Sequence, residues 1–179
     1  MGRIAAALFT TVDGSAERPD QWHGPYFDEA MGQAVDAHTN RCDAYLMGRV
    51  LYDQWSQYWP ANDSDEFTSF INPIPKYVLS TTLDKADWEG TTLVRSLDEL
   101  REARDRTDGT IGMSGSLTTL RSLLGAGLLD ELVLLVDPIV VSGERRWTDG
   151  IGRAPLQLVS SATLPTGVLH LVYRPARPA

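Results

Sequence analysis

Residues 4 to 12, Ile-Ala-Ala-Ala-Leu-Phe-Thr-Thr-Val, form a continuous run that stops at Asp13-Gly14. A run of this length, bounded by a turn signal, reads as a strand buried on both faces. Such a strand belongs in the middle of a sheet, with helices covering it on either side. The rest of the chain must therefore supply pairing strands and amphipathic helices.

Both follow. After a long polar loop over residues 15 to 25, Phe27, Ala30, Met31, Ala34, Val35 and His38 recur at helical spacing and predict an amphipathic helix. A short strand at 44 to 47 ends at Gly48 and leads into a helical run from 50 to 58. A polar break at Asn62-Asp63-Ser64 precedes a second helical segment over 65 to 71. Strands are expected at 76 to 80 and 91 to 95. Ser96 and Glu99 have capping-box spacing at the start of a charged helix that runs to 106. A strand at 110 to 113 meets Ser114-Gly115-Ser116 and a leucine-rich helix. The last quarter differs. Residues 131 to 136, 138 to 141, 156 to 163 and 168 to 173 read as strands without intervening helices, the last two joined as a hairpin by Leu164-Pro165-Thr166-Gly167. From 174 onward the tail is expected to fray. The reading is one domain over residues 1 to 179. Its fold class is α/β, with a mostly parallel central sheet flanked by helices and antiparallel strands at the C-terminal edge.

Composition excludes several functions. Sixteen Lys and Arg against 24 Asp and Glu leave a formal charge of −8, and no basic run exceeds Arg145-Arg146, so a nucleic-acid partner is not expected. The 42% hydrophobic content suits a packed core. A single Cys42 allows no internal disulfide and fits a reducing compartment. The start lacks a cleavable signal layout, and no stretch approaches membrane-spanning length, so a soluble cytoplasmic protein is expected. His23, His38 and His170 have no metal-ligand spacing, and no metal is expected.

A sheet of this type binds ligands beyond the carboxyl ends of its strands. Three such ends stand out: Asp13-Gly14, Gly48-Arg49 and Gly115-Ser116. Gly115 lets an anion approach the backbone at a helix start, although Ser116 also fits a plain N-cap. Arg49 offers a planar charged donor to a phosphate, although it also fits a solvated helix-start arginine. Ser80-Thr81-Thr82 follows a third strand. Asp13 is either an acid or a turn former, and Asp28 either an acid or a first-turn carboxylate that complements the helix dipole. The nucleotide signatures G-x-x-x-x-G-K-[ST] and G-x-G-x-x-G are both absent.

Taken in order, Thr11-Val12-Asp13-Gly14, Leu46-Met47-Gly48-Arg49-Val50-Leu51-Tyr52, Pro75-Lys76-Tyr77-Val78-Leu79-Ser80, and Gly115-Ser116 with Gly127-Leu128-Leu129-Asp130-Glu131-Leu132 resemble the dihydrofolate reductase-like superfamily. The likeness is greatest to the reductase domain of the riboflavin-biosynthesis deaminase/reductase and its stand-alone bacterial relatives, and runs from about residue 3 to 173. The resemblance implies NADPH as cofactor. It places Gly48 and Arg49, Ser80 and Thr81, and Gly115, Ser116 and Leu117 around the dinucleotide, with Asp13 beside nicotinamide and substrate. Asp13 and Asp28 are the candidate acids, Asp13 the more desolvated. Trp22, Phe27 and Met31 are the candidate substrate contacts.

The pattern also departs from the family. Leu51 stands where a threonine is usual. Asp28 falls one residue after the position of the folate-binding acid, a rotation of about 100° on a helix. No serine- and arginine-rich loop for a ribose phosphate is recognisable near 15 to 20. The implied activity is reduction of a pyrimidine or pterin-like heterocycle. The nearest named reaction is that of 5-amino-6-(5-phosphoribosylamino)uracil in riboflavin biosynthesis. Dihydrofolate reduction and a non-catalytic nucleotide-binding module are the alternatives. A homodimer is expected from the apolar late strands.

Overall fold

The computed structural model describes residues 2–62 and 66–176, the side chain of Glu66 excepted. Asp63, Ser64 and Asp65, which belong to the expected polar break and helix start, and the last three residues of the expected frayed tail lie outside the described residues. Eight strands form one sheet in the order β4-β3-β2-β5-β1-β6-β8-β7. They are β1 (Arg3–Thr11), β2 (Ala44–Gly48), β3 (Lys76–Leu79), β4 (Thr91–Val94), β5 (Thr110–Ser114), β6 (Glu131–Asp137), β7 (Leu156–Thr163) and β8 (Leu169–Pro175). The helices are α1 (Glu29–Thr39), α2 (Arg49–Tyr58), α3 (Glu66–Ile71), α4 (Leu97–Arg106) and α5 (Leu117–Gly125).

The first strand lies where its sequence requires. β1 pairs in parallel with β5 on one side and β6 on the other, and Ile4, Ala5 and Ala6 are fully buried. Every pairing from β4 to β6 is parallel, whereas β8 runs antiparallel to both β6 and β7. The chain moves outward through β2, β3 and β4, then returns to insert β5 between β2 and β1 before adding β6 on the far side. That reversal leaves a crevice at the carboxyl ends of β2 and β5, the place where open α/β sheets take ligands.

Alternation sorts the core. Ile4, Ala6, Leu8, Leu132 and Leu134 pack with Leu120 and Leu123 of α5 and Leu100 of α4 on one face. On the other face, Leu135 and Phe9 pack with Met31, Ala34 and Val35 of α1, while Tyr45, Met47 and Val78 meet Tyr52 and Trp55 of α2. Lys76 is 1% exposed, and its ammonium donates to the carbonyls of Ile71, Asn72 and Ile74 at 2.8–3.0 Å, closing the C-terminal end of α3. Among the described residues no helix is long and apolar enough to cross a membrane.

Four local expectations change. Residues 138 to 141 are not a strand: Pro138 has no N–H to offer, and the Ile139 N–H turns back to the Asp137 carbonyl at 2.8 Å. Asp28 is not in the first turn of α1 but is its N-cap, with a carboxylate oxygen accepting the Met31 N–H at 2.9 Å. In the expected capping box, Ser96 accepts the Glu99 N–H, but Glu99 reaches one residue further back, to the Arg95 N–H. Finally, Arg174 and Pro175 extend β8 instead of fraying, because they pair with Gln157 and Leu156.

His38 ends the apolar stripe of α1 and is buried. Its pKa is pushed down to about 4, first by burial and second by the Arg41 guanidinium 3.3 Å away. The unfolded chain takes up this proton near the ordinary value of 6.5. Between these two values the unfolded state binds more protons, so stability falls as pH falls. Urea unfolding at pH 7.5 and pH 5 should show a loss attributable to this group of about 2 kcal/mol. His38→Gln should flatten the profile by that amount; an unchanged profile would refute the assignment.

Candidate functional site

A cleft of about 530 Å³ opens at the carboxyl ends of β2, β3 and β5. The tip of β2 and start of α2 supply Gly48, Arg49, Val50 and Leu51; the tip of β3 supplies Leu79, Ser80, Thr81 and Thr82. The start of α5 supplies Ser116 to Thr119. Six of the seven cofactor residues expected from the sequence thus line one cavity, and the seventh, Gly115, forms the turn into it.

The β2 and α5 walls are locked together. The Ser116 hydroxyl accepts the Gly48 N–H at 2.8 Å, and a Cβ on Gly48 would stand 2.6 Å from Thr119 Oγ1 and 2.9 Å from Ser116 Oγ. Only glycine permits this approach. Ser116 does not cap α5 as a plain N-cap serine would. It lies in the left-handed region at φ 58°, immediately after Gly115 at φ 76°, with its side chain turned across to β2. Leu120 donates the first intrahelical bond, to the Ser116 carbonyl. The opening amides of α5 and the positive end of its dipole are therefore left at the cleft wall, an arrangement suited to an anion.

Arg49 is half-exposed at the opposite wall. Its Nε donates to Asp53 at 2.6 Å, one turn along α2, and one terminal nitrogen lies 3.5 Å from Thr82 Oγ1. The guanidinium is thus aimed by Asp53 while donors remain for a ligand. Ser80 is buried, and its hydroxyl accepts the N–H groups of Thr82 and Leu83, shaping the loop after β3. Arg18 and Arg145, which the sequence reading did not include, stand on the rim, paired respectively with Glu144 and with Glu17. They approach from loops more than a hundred residues apart, so no local motif marks them.

The expected acids and substrate contacts lie elsewhere. Asp13 does not line the cleft. Its carboxylate accepts from Thr11 Oγ1 at 2.6 Å, Ser15 Oγ at 3.2 Å and the Val141 N–H at 3.2 Å. The Thr11 hydroxyl, which outweighs partial burial, holds the carboxyl below the usual range, with Val141 and Ser15 adding to it. An acid that holds its proton near neutrality needs a raised pKa, and the shift here is the opposite: the residue organises the turn after β1. Asp28 is committed to capping α1. Met31 is fully buried in the core beneath α1 and presents no surface to a ligand. Trp22 is buried, its indole N–H bonded to the Glu17 carbonyl. Phe27 alone of the three is open, 52% exposed.

Phe27 belongs to an aromatic enclosure that the sequence reading missed. His23 is sandwiched among Phe9, Trp22 and Phe27, and its Nδ1 lies 2.7 Å from Asp137 Oδ2. Asp137 closes β6, a fourth strand end on the same edge of the sheet. The carboxylate is legible in the sequence as the residue that ends this strand, although its partner is not. Among the described residues no cluster of His, Cys, Asp and Glu could hold a metal ion.

A mostly parallel eight-stranded sheet covered on both faces, with an antiparallel edge and this ligand crevice, is the dihydrofolate reductase-like fold. Residues 3–170 match the RibD C-terminal domain, and the chain belongs to that family. It is 28% identical over 178 residues to the uncharacterized protein YyaP of Bacillus subtilis (strain 168), covering 96% of this chain and 94% of that one. The same fold recurs in a putative riboflavin biosynthesis protein from Shewanella sp. PV-4 at a TM-score of 0.77 and 18% identity, over 99% of this chain and 100% of that one. It recurs in a pyrimidine reductase-like protein from Corynebacterium diphtheriae at 0.67 and 16%, over 99% and 93%. Dihydrofolate reductase from Enterococcus faecalis, complexed with NADP(H) and RAB-propyl, gives 0.66 and 14%, over 97% and 96%.

The β2–α5 lock predicts a packing penalty. Gly48→Ala should lower unfolding free energy by about 1–3 kcal/mol, the usual cost of overpacking. Thr119→Ala, which removes the nearer oxygen, should restore part of it in the double variant. Urea titration of the three variants measures this, and a neutral Gly48→Ala would show that the walls are not locked.

Proposed function

We propose that this chain is an NADPH-dependent oxidoreductase acting on a small flat heterocycle of the pyrimidine or pterin class. The observation that carries the reading is the cleft in which the β2 tip, the loop after β3 and the start of α5 converge with Arg49. The residues present fit a phosphorylated dinucleotide. The open first turn of α5, reached over Gly115, suits a pyrophosphate, and Arg49 with Ser80, Thr81 and Thr82 suits a further phosphate on the ribose. When bound, the cofactor supplies hydride, and the chain binds it, orients it and excludes water. The named similarity to a putative riboflavin biosynthesis protein and a pyrimidine reductase-like protein supports this substrate class, with the riboflavin-pathway reduction as the nearest reaction. Folate reduction has less support, because Asp28 is spent on a helix cap. A non-catalytic module would bind NADPH without turning over any heterocycle. The single Cys42 supports a cytoplasmic setting.

One charge-assisted pair contributes about 1.5–3 kcal/mol, or roughly 10- to 150-fold in affinity. Asp53 already occupies Arg49 Nε, which puts the expected preference for NADPH over NADH at the lower end, about tenfold. Quenching of the five tryptophans should read it out. Arg49→Ala should abolish the preference and leave NADH affinity unchanged, while Asp53→Asn should widen it. Equal affinities in the unmodified protein would refute the reading.

The working unit is proposed to be a homodimer that pairs through the β7–β8 hairpin. β7 is an edge strand, and Leu158, Val159 and Leu169 are exposed on the hairpin, an apolar edge that a second copy would cover. Sedimentation at tens of micromolar should give twice the chain mass, and Leu158→Lys should yield the single chain. A single-chain species for the unmodified protein would refute this.

A further inference from the structure

The cleft occupies the carboxyl edge over β3, β2 and β5. Further along the same edge, over β1 and β6, lies the buried pair His23–Asp137, which the cleft does not use. His23 is 6% exposed and Asp137 fully buried. Asp137 pairs in register with Thr11 at the end of β1, so it lies two strand spacings, roughly 10 Å, from β5. The imidazole is fixed by stacking on Phe9, with centroids 3.8 Å apart and planes 25° apart. The edges of Phe27 and Trp22 complete the enclosure at 5.5 and 6.2 Å. The backbone is equally constrained: the His23 N–H donates to the Pro19 carbonyl at 2.8 Å, and its carbonyl accepts the Tyr26 N–H at 2.9 Å.

Two atoms of the pair are left over. His23 Nε2 and Asp137 Oδ1 are buried with no hydrogen-bond partner among the described residues. Unpartnered buried polar atoms are costly; His38 Nε2 is another, but of these only the His23–Asp137 pair stands at the carboxyl edge of the sheet, where ligands bind. The carboxylate also fixes the ring chemistry. With Nδ1–H donating to Asp137, only Nε2 is free to gain or lose a proton. Asp13 and Asp28 are committed to a turn and a helix cap, so neither of the expected acids is free to serve the proposed reduction.

We infer that His23 delivers the proton in the reduction proposed above, on which this inference rests, and that Asp137 is its positioning residue. As hydride adds to the carbon of a C=N or C=O group, the π electrons move to the heteroatom. The Nε2–H bond breaks and an N–H or O–H bond forms there. The neutral imidazole then regains a proton from water, and NADPH leaves as NADP⁺. Phe27 is the most exposed ring around His23, and this proton delivery requires a flat substrate ring to take its place against the imidazole.

Histidine-selective ¹⁵N NMR on the full chain tests this without cofactor. Saturating 7,8-dihydropterin or 6-aminouracil, added separately, should shift the His23 Nε2 signal with at least one probe and leave His38 and His170 unmoved. In Asp137→Asn the amide can present N–H to Nδ1, so the spectrum should show the other tautomer, which a merely space-filling residue would not produce. With the probe that turns over, His23→Gln should lower single-turnover NADPH oxidation about 100-fold or more, with NADPH affinity unchanged. Neither probe moving Nε2, or a His23→Gln rate equal to the unmodified protein's, overturns the inference, and the NMR result on the unmodified chain decides it if the variants do not fold. Absence of NADPH quenching in the unmodified chain overturns the reductase reading, and proton donation with it. A probe-induced Nε2 shift in that case marks a heterocycle site without redox chemistry.

Discussion

Gly48 and Ser116 are 68 residues apart in sequence, yet the cleft depends on their hydrogen bond. The tip of β2 can approach the start of α5 only because position 48 has no side chain, and the Ser116 hydroxyl satisfies the one N–H that the approach would otherwise strand. That contact sets the distance between two of the cleft's walls. It also forces Ser116 out of the capping role, so the first amides of α5 are left without an internal acceptor. The open helix start at the cleft wall and the sheet topology are thus linked: β5 must insert beside β2 for α5 to start opposite Gly48.

Global and local charge point in opposite directions. The chain carries −8, but Arg18, Arg49 and Arg145 converge on the cleft from three separate loops or helix starts. Each already has a carboxylate partner: Glu144, Asp53 and Glu17. These pairs orient the guanidinium groups and soften the field within the cleft. A net negative protein can in this way present a locally cationic cleft without attracting polyanions along its surface.

Much of the fold was legible because periodicity is local. The doubly buried β1 run, the helical stripe ending at His38 and the hairpin at Leu164 to Gly167 each announce themselves within about a dozen residues. The cleft was legible through the small residues that follow strands at Gly48, Ser80 and Gly115. What failed was long-range. Pro138 to Val141 has strand-like composition, but the Ile139 and Val141 N–H groups go to Asp137 and Asp13. Asp13 reads as either an acid or a turn former, and the choice between them rests on Thr11 and Ser15 together with the distant Val141 N–H. His23 and Asp137 are 114 residues apart and share no motif, so nothing in either neighbourhood announces their contact.

Ser116 holds a left-handed backbone that a non-glycine residue adopts at a cost of about 1 kcal/mol. Glycine would remove that strain, but would also remove the hydroxyl that serves Gly48. Selection for heat resistance alone and selection for a shaped anion seat therefore pull this one codon in opposite directions. A lineage living at high temperature would have to recover the lost increment elsewhere in the core, or give up the seat.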